Sequence, residues 1–231
     1  MPVDQQVIAD QLEATTAAYG PASGVTAGGA SGESLAPGRA VLDTVKIGML
    51  GSPATISTVA AALEAGQFRN VVLDPVLICK GQEPGHALDT DQALKAQILP
   101  LATFVTPNHV EAESLSGLAI TDVESLKAAA VRIHELSGAA VLAKGGVRLE
   151  GLDAVDVYDG ETLEILSAPK VGEVAVSGAG CSLAAAVTAE RAKGATPLEA
   201  ARTAKSFVTA GIRNRVASGA PFDALWQGGA R

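Results

Sequence analysis

Cysteine, aromatic rings and positive charge are all scarce in this 231-residue sequence, and each scarcity excludes a class of protein. There are two cysteines, Cys79 and Cys181. Two make no disulfide framework, and neither stands in a CxxC or Cys/His zinc spacing. A reducing cytoplasm is therefore the expected compartment. Aromatics make up 3% of residues while hydrophobic residues make up 48%, so the core is expected to be mostly Ala, Val, Leu and Ile. Lys and Arg number 17 against 25 Asp and Glu, a net charge of -8. With no basic stripe, no nucleic-acid partner is expected. Mg²⁺-nucleotides stay compatible with this balance, because local glycines and lysines can hold phosphates. No window holds about 18 uninterrupted apolar residues, so no membrane span is expected. The opening "MPVDQQVIADQ" lacks the basic start and apolar core of a signal peptide.

What is present is a regular alternation of strands and helices after residue 40. Before it, residues 4–18 carry Val7, Ile8 and Leu12 at helical spacing. Residues 19–40 are rich in Gly, Ala, Ser and Pro and read as a flexible loop. Their "GGASGES" is no P-loop, since no GK[ST] follows. Short apolar strands are expected at 45–50, 70–75, 103–108 and 139–146. Helices are expected at 52–66 (Ser52 as cap, Pro53 in the first turn), at 89–102 and at 121–138. The last of these opens on a Thr121/Glu124 capping box. "DAVDVYDGETLEILSAP" alternates around Asp159-Gly160 and reads as a hairpin. Helices at 180–193 and 197–217 close the chain, the second on a Thr196/Glu199 capping box with Pro197 in the first turn. This order implies an α/β fold: a mainly parallel sheet, built of right-handed crossovers and covered on both faces. One domain over residues 1–231 is expected.

The stretch "VSGAGCSLAAAV" joins a glycine turn to a helix start. Gly178 and Gly180 admit backbone angles closed to other residues. Free N–H groups at such a start, in the positive end of the helix dipole, bind phosphate or oxyanions. The backbone from Ala179 to Ser182 is the candidate cradle. The plainer explanation is a tight turn with Cys181 as a small packed apolar residue.

In open α/β sheets, ligands bind beyond the carboxyl ends of the strands. Here those ends carry Gly51, then Asp74-Pro75, then Asn108, Glu111 and Glu113, then Lys144-Gly145-Gly146. Acids, an amide and a lysine around an anion cradle suit Mg²⁺ with phosphates. Each residue also has an ordinary structural role open to it. Asp74-Pro75 would serve as a strand-to-turn cap, Asn108 and Glu111 as helix caps, and Lys144 as a solvated strand end. His86, His109 and His134 are scattered, and none has a catalytic role.

The segments "KIGML", "VVLDPV", "TPNHVEAE", "AKGG" and "SGAGCSLAAAV" occur in an order and spacing that resembles the hydroxymethylpyrimidine/phosphomethylpyrimidine kinases of thiamine biosynthesis. The resemblance runs from about residue 42 to 216. It implies a three-layer α/β/α ribokinase-like fold with a late hairpin, and ATP-dependent phosphorylation of hydroxymethylpyrimidine or its monophosphate. By motif position it implies that Asp74 and Glu111 organise Mg²⁺, with Asn108 beside them. Lys144 would contact ATP phosphates. Gly178, Gly180 and Cys181, with Ala179 between them, would form the anion hole, where Cys181 could assist proton removal from the reacting alcohol. Met49 and Val76 would touch the pyrimidine.

Three departures accompany the resemblance. The family usually reads "HGTGC" where this chain has Ser177 and Ala179. A Gly/Ala/Ser-rich insertion precedes "KIGML". The family's opening strand, glycine-rich loop and flap have no counterpart here, so nucleotide is expected to bind better than pyrimidine, and an exposed sheet edge would favour a homo-oligomer. Pyridoxal kinase is the neighbouring enzyme reading, and a non-catalytic nucleotide-binding or interaction protein the reading from another class. A dinucleotide enzyme is remote, because "GAGCSL" lacks the third glycine of GxGxxG.

Overall fold

The computed structural model describes residues 3–19, 42–66, 68–77, 84–217 and 221–229. Of the expected loop at 19–40, Tyr19 instead closes the first helix, and the remaining residues, like Cys79, lie outside the described residues.

Local chemistry sets most element starts. Helix α1 spans Gln5–Tyr19 and strand β1 spans Thr44–Ile47. Helix α2, Pro53–Ala65, begins where Ser52 accepts the Thr55 N–H and Pro53 takes the first turn, as expected. Strand β2, Asn70–Leu73, is buried along its whole length. Helix α3 spans Pro84–Gln97, so it starts before Asp89 and stops before Ala102. A 3₁₀ turn at Leu99–Leu101 replaces its expected end, because Pro100 cannot donate a helical hydrogen bond. Strand β3 is only Phe104–Val105. Pro107 has no N–H for a ladder, and Asn108 already caps helix α4, His109–Ser116.

Helix α5, Val123–Ser137, corrects the expected cap by one residue. Asp122, not Thr121, accepts the Ser125 N–H at 2.8 Å, and Ser125 Oγ accepts the Asp122 N–H at 3.0 Å. A carboxylate at the positive helix end outcompetes a hydroxyl. Strand β4 is Ala140–Lys144, and the hairpin consists of β5, Asp153–Asp159, and β6, Leu163–Pro169. Helix α6 is Ala179–Ala192 and helix α7 is Pro197–Arg213, with the Thr196/Glu199 capping box in place. The end of α7 falls short of Ala217, because Val216 leaves to pair with Ala224.

Among the described residues, six strands form one sheet in the order β1-β2-β3-β4-β5-β6. The first four run parallel, and β5 and β6 run antiparallel to their neighbours. Side chains alternate between two cores. Ile47, Val71, Leu73, Val105, Val141, Ala143 and Val157 pack against α2, α3, α4 and α5. Val72, Phe104, Leu142, Tyr158 and Leu166 pack against α6 and α7. Two covered faces explain why the parallel strands are unbroken apolar runs. The molecule is a three-layer α/β/α sandwich. Each fully buried Ile, Leu or Val in it contributes about 1.5–3 kcal/mol of transfer free energy. Among the described residues, no helix is long and apolar enough to cross a membrane.

Candidate active site

The carboxyl ends of β1 to β4 lie side by side, because Ile47 pairs with Leu73, Leu73 with Val105, and Val105 with Val141. The segments leaving these strands therefore meet at one edge. After β2 comes Asp74, 3% exposed. Its N–H donates to the Ile47 carbonyl at 2.8 Å, which continues the ladder one residue beyond the strand. Its carboxylate then faces two ammonium groups. Lys144 Nζ is 3.6 Å from Oδ1, and Lys46 Nζ is 3.8 Å from Oδ2. The Thr106 hydroxyl donates to Oδ1 at 3.5 Å. Both ion pairs neutralise charge without closing a hydrogen bond, so donors and lone pairs here remain available to a ligand.

After β3, Asn108 caps α4. Its Oδ1 accepts the Glu111 N–H at 3.1 Å, and Glu111 Oε2 accepts the Asn108 N–H at 2.7 Å. The structural role open to both residues is thus fulfilled. Glu111 nevertheless stays unusual. Burial is the main cause that holds its carboxyl at about 7, up from 4.5. Lys144 and the Asn108 N–H oppose this rise, and the Asp74 carboxylate adds to it.

After β4, the Lys144 N–H donates to the Pro107 carbonyl at 2.9 Å, and this locks the lysine beside the α4 start. Gly145 is next in the chain because any Cβ there would lie 2.5 Å from the Val155 carbonyl oxygen. The side chain of Lys144 is only 12% exposed, so it is no solvated strand end.

The glycine turn joins this edge. Gly178 caps α6 in the left-handed conformation, with φ 84, where only glycine sits without strain. No side chain caps the helix. A Cβ built on Gly180 would lie 3.5 Å from Lys144 Nζ, so the first turn of α6 abuts the lysine. The cradle is narrower than the four donors expected. The Ala179 N–H donates to the Val176 carbonyl at 3.3 Å, and the Ser182 N–H to the Gly178 carbonyl at 3.0 Å. The N–H groups of Gly180 and Cys181 keep no acceptor among the described residues. Cys181 is exposed rather than packed. The carboxy-terminal segment pins this turn, since Ser177 donates to the Asp223 carbonyl and Leu225 donates to the Ser177 carbonyl.

Asp74, Glu111, Lys144 and the start of α6 thus converge, with Asn108 beside them. Met49 is 63% exposed past the end of β1, and Val76 is half-buried past the end of β2. Val76 is tied to the charged cluster through its N–H, which donates to the Asp74 carbonyl at 2.8 Å, whereas no hydrogen bond or ion pair ties Met49 or Cys181 to it among the described residues. Lys46 is the member that sequence reasoning missed. Its signal was a lone lysine inside the apolar "VKIGML".

The donor set fits Mg²⁺. Among the described residues no group of three His, Cys, Asp or Glu could cage a metal. Mg²⁺ needs no such cage, because one or two carboxylates, waters and substrate phosphates suffice. A carboxyl held at about 7 by burial is a group that a neighbouring cation would readily deprotonate.

A model of the family described as phosphomethylpyrimidine kinase matches residues 39–225. The chain is 44% identical over 178 residues to pyridoxine kinase of Bacillus subtilis, covering 74% of this chain and 64% of that protein. It is 40% identical over 172 residues to the hydroxymethylpyrimidine/phosphomethylpyrimidine kinase of Haemophilus influenzae, covering 72% of this chain and 64% of that one. The match to each of these curated relatives thus spans 64% of its length. Its backbone superposes on Staphylococcus aureus pyridoxal kinase, solved with AMP-PCP and pyridoxal, with a TM-score of 0.82 and 31% identity. That superposition covers 100% of this chain and 76% of the other.

Proposed function

The chain belongs to the phosphomethylpyrimidine kinase family, with its ribokinase-like fold, and from that membership we propose that it transfers a phosphoryl group from ATP to the primary alcohol of a small aromatic nitrogen heterocycle, or to the phosphate such an alcohol already carries. Hydroxymethylpyrimidine or its monophosphate is the first substrate reading. The observation that carries the proposal is the meeting of Lys144, Asp74 and Glu111 with the uncapped start of α6.

In this reading Lys144 holds ATP phosphates and moves little, because backbone and neighbours fix its stem. The free N–H groups of Gly180 and Cys181, in the positive end of α6, receive the charge of the transferred group. Asp74 and Glu111 would hold Mg²⁺, with Asn108 orienting Glu111. When bound, that ion would supply neutralisation of phosphate charge. Cys181 stands exposed at the cradle; in its thiolate form it would accept the proton of the attacking hydroxyl as that oxygen bonds to phosphorus and ADP leaves, with no bond from sulfur to substrate. Met49 and Val76 offer apolar contact to the ring. Positioning and charge neutralisation, rather than covalent chemistry, supply most of the catalysis.

Pyridoxal is the second substrate reading. It is favoured by the 44% identity to a pyridoxine kinase and by the superposition on a pyridoxal kinase. Both alcohols present a hydroxymethyl group on an aromatic nitrogen ring. A coupled assay of ADP release with each alcohol, with ATP and Mg²⁺, separates the two. Turnover of at least one is expected. If neither alcohol is turned over and no nucleotide binds in calorimetric titration, the chain is a non-catalytic interaction protein.

A further inference from the structure

Strands β1 to β4 set four polar side chains in one row, on the face that α6 and α7 cover. Lys46 pairs with Val72 and Val72 with Phe104, and Val72, Phe104 and Leu142 belong to the core on that face. Side chains alternate along a strand, so Lys46, Asp74, Thr106 and Lys144 turn to the same side as these three. Along this row two ammonium groups face one carboxylate. Asp74 is 3% exposed, and a carboxylate so buried needs a counter-charge. It has one at each oxygen, Lys144 at 3.6 Å from Oδ1 and Lys46 at 3.8 Å from Oδ2. The two lysines are held differently. Lys144 carries a backbone bond to Pro107 and abuts the first turn of α6, and its side chain is 12% exposed. Lys46 lies on β1, the last strand at one end of the sheet among the described residues. Its side chain is 27% exposed, and no hydrogen bond holds its ammonium group among the described residues. Gly48 keeps the space beside that group, since a Cβ there would lie 3.2 Å from Nζ. Lys46 is thus the counter-ion with freedom to leave.

We infer that Lys46 competes with a divalent cation for Asp74, so that this site holds metal together with a phosphate and not before one. The inference rests on the assignment of Asp74 to the metal in the proposed kinase reaction. Without ligand, Lys46 and Lys144 together outweigh Asp74 by one positive charge, and that excess repels a further cation. The same excess attracts phosphate. The phosphates of a nucleotide draw the Lys46 ammonium off Asp74 and bring negative charge of their own, which removes the repulsion. Lys46 therefore weakens the binding of metal alone and strengthens that of metal-free nucleotide. By linkage, each of the two ligands then favours the other.

Mn²⁺ tests this, because it shares the octahedral oxygen coordination of Mg²⁺ and its free fraction is read by electron paramagnetic resonance. Titrated at one fixed pH without nucleotide, Lys46→Met should bind Mn²⁺ at least about tenfold more tightly than the wild-type chain. Lys46→Arg, which keeps the charge, should show no such gain. Adding Asp74→Asn to Lys46→Met should remove it. AMP-PCP, titrated calorimetrically in EDTA, should bind Lys46→Met about tenfold more weakly than wild type. Shifts of opposite sign separate this role from a general loss of structure, which would weaken both ligands. The circular dichroism spectrum should not change, since Lys144 still faces Asp74. Mn²⁺ affinity that is equal or lower in Lys46→Met, or undetectable in both chains, overturns the inference. So does a gain that survives Asp74→Asn, or measurable AMP-PCP binding that Lys46→Met does not weaken. If the Mn²⁺ shift is found and AMP-PCP binds none of the chains, the competition at Asp74 stands and the kinase reading falls.

Discussion

Two lysine–aspartate pairs lie next to each other on adjacent strands, and they differ in closure rather than in burial. Lys144 and Asp156 are partners across β4 and β5, yet each lysine answers to another acid. Lys205 on α7 meets Asp156 at 2.8 Å and also donates to the Ala154 carbonyl at 2.9 Å. Lys144 meets Asp74 at 3.6 Å, shares it with Lys46, and closes no hydrogen bond. Exposure of the side chains is 10% and 8% in the first pair and 12% and 4% in the second. Burial alone therefore does not mark a functional charge. The closed pair ties α7 to the sheet, whereas the open pair holds charge ready for something not yet bound.

Breaking the closed pair should have the largest effect. Lys205→Met leaves Asp156 buried without a partner, at a cost of about 3–5 kcal/mol. For a chain of this size the melting temperature should fall by about 6–20 °C. Adding Asp156→Asn to that variant should recover part of the loss, as a double-mutant cycle would read. An unchanged melting temperature in Lys205→Met would erase the distinction between the pairs.

The open pair should respond in the opposite currency. In Lys144→Met, Lys46 still faces Asp74, so stability should hardly move. Turnover should fall by about 10²–10³-fold, the usual loss on removing a group that stabilises transition-state charge. A large drop in melting temperature with turnover retained would show that Lys144 is structural, like Lys205.

Glu111 sharpens the comparison through pH. Its folded value of about 7 lies above 4.5, so the native state binds this proton more tightly than the unfolded chain does. The resulting stabilisation is complete below pH 4.5 and is lost as pH rises through about 7. It amounts to up to roughly 3 kcal/mol. Without metal, Glu111→Gln should therefore flatten the rise in stability between pH 8 and pH 5 and should melt higher than wild type at pH 8. Mg²⁺ should raise the wild-type melting temperature at pH 8 more than that of the variant. Identical pH slopes in thermal scans would refute the assignment.

The smallest expected effect is at the cradle. In Gly180→Ala the new methyl sits 3.5 Å from Lys144 Nζ, an ordinary contact. Helix stability should gain about 0.5–1 kcal/mol. Turnover should drop about tenfold, because the methyl intrudes where the phosphoryl group is received. Unaltered turnover would place phosphoryl transfer elsewhere.

Features decided within four residues were legible in the sequence. Ser52-Pro53 and Thr196-Pro197 start α2 and α7 because a hydroxyl meets an N–H three residues on. Asn108 and Glu111 cap α4 in the same way, with an amide oxygen in place of the hydroxyl. The one failure of this kind, Thr121 for Asp122, was a contest between overlapping boxes that the carboxylate won. The apolar runs determined a parallel sheet covered on both faces, and glycine spacing determined the turn before α6. Tertiary structure alone decided the rest, because it joins groups far apart in the chain. Lys46 and Lys144 share Asp74 only because β1, β2 and β4 end at one edge. β3 shrank to two residues because the Pro107 backbone was claimed by its neighbours. Two of four cradle donors were consumed by the turn itself. The closure of one lysine–aspartate pair and the openness of its neighbour depend on how α7 and α6 settle on the sheet. That is a matter of distances between elements, which no local spacing of residues encodes.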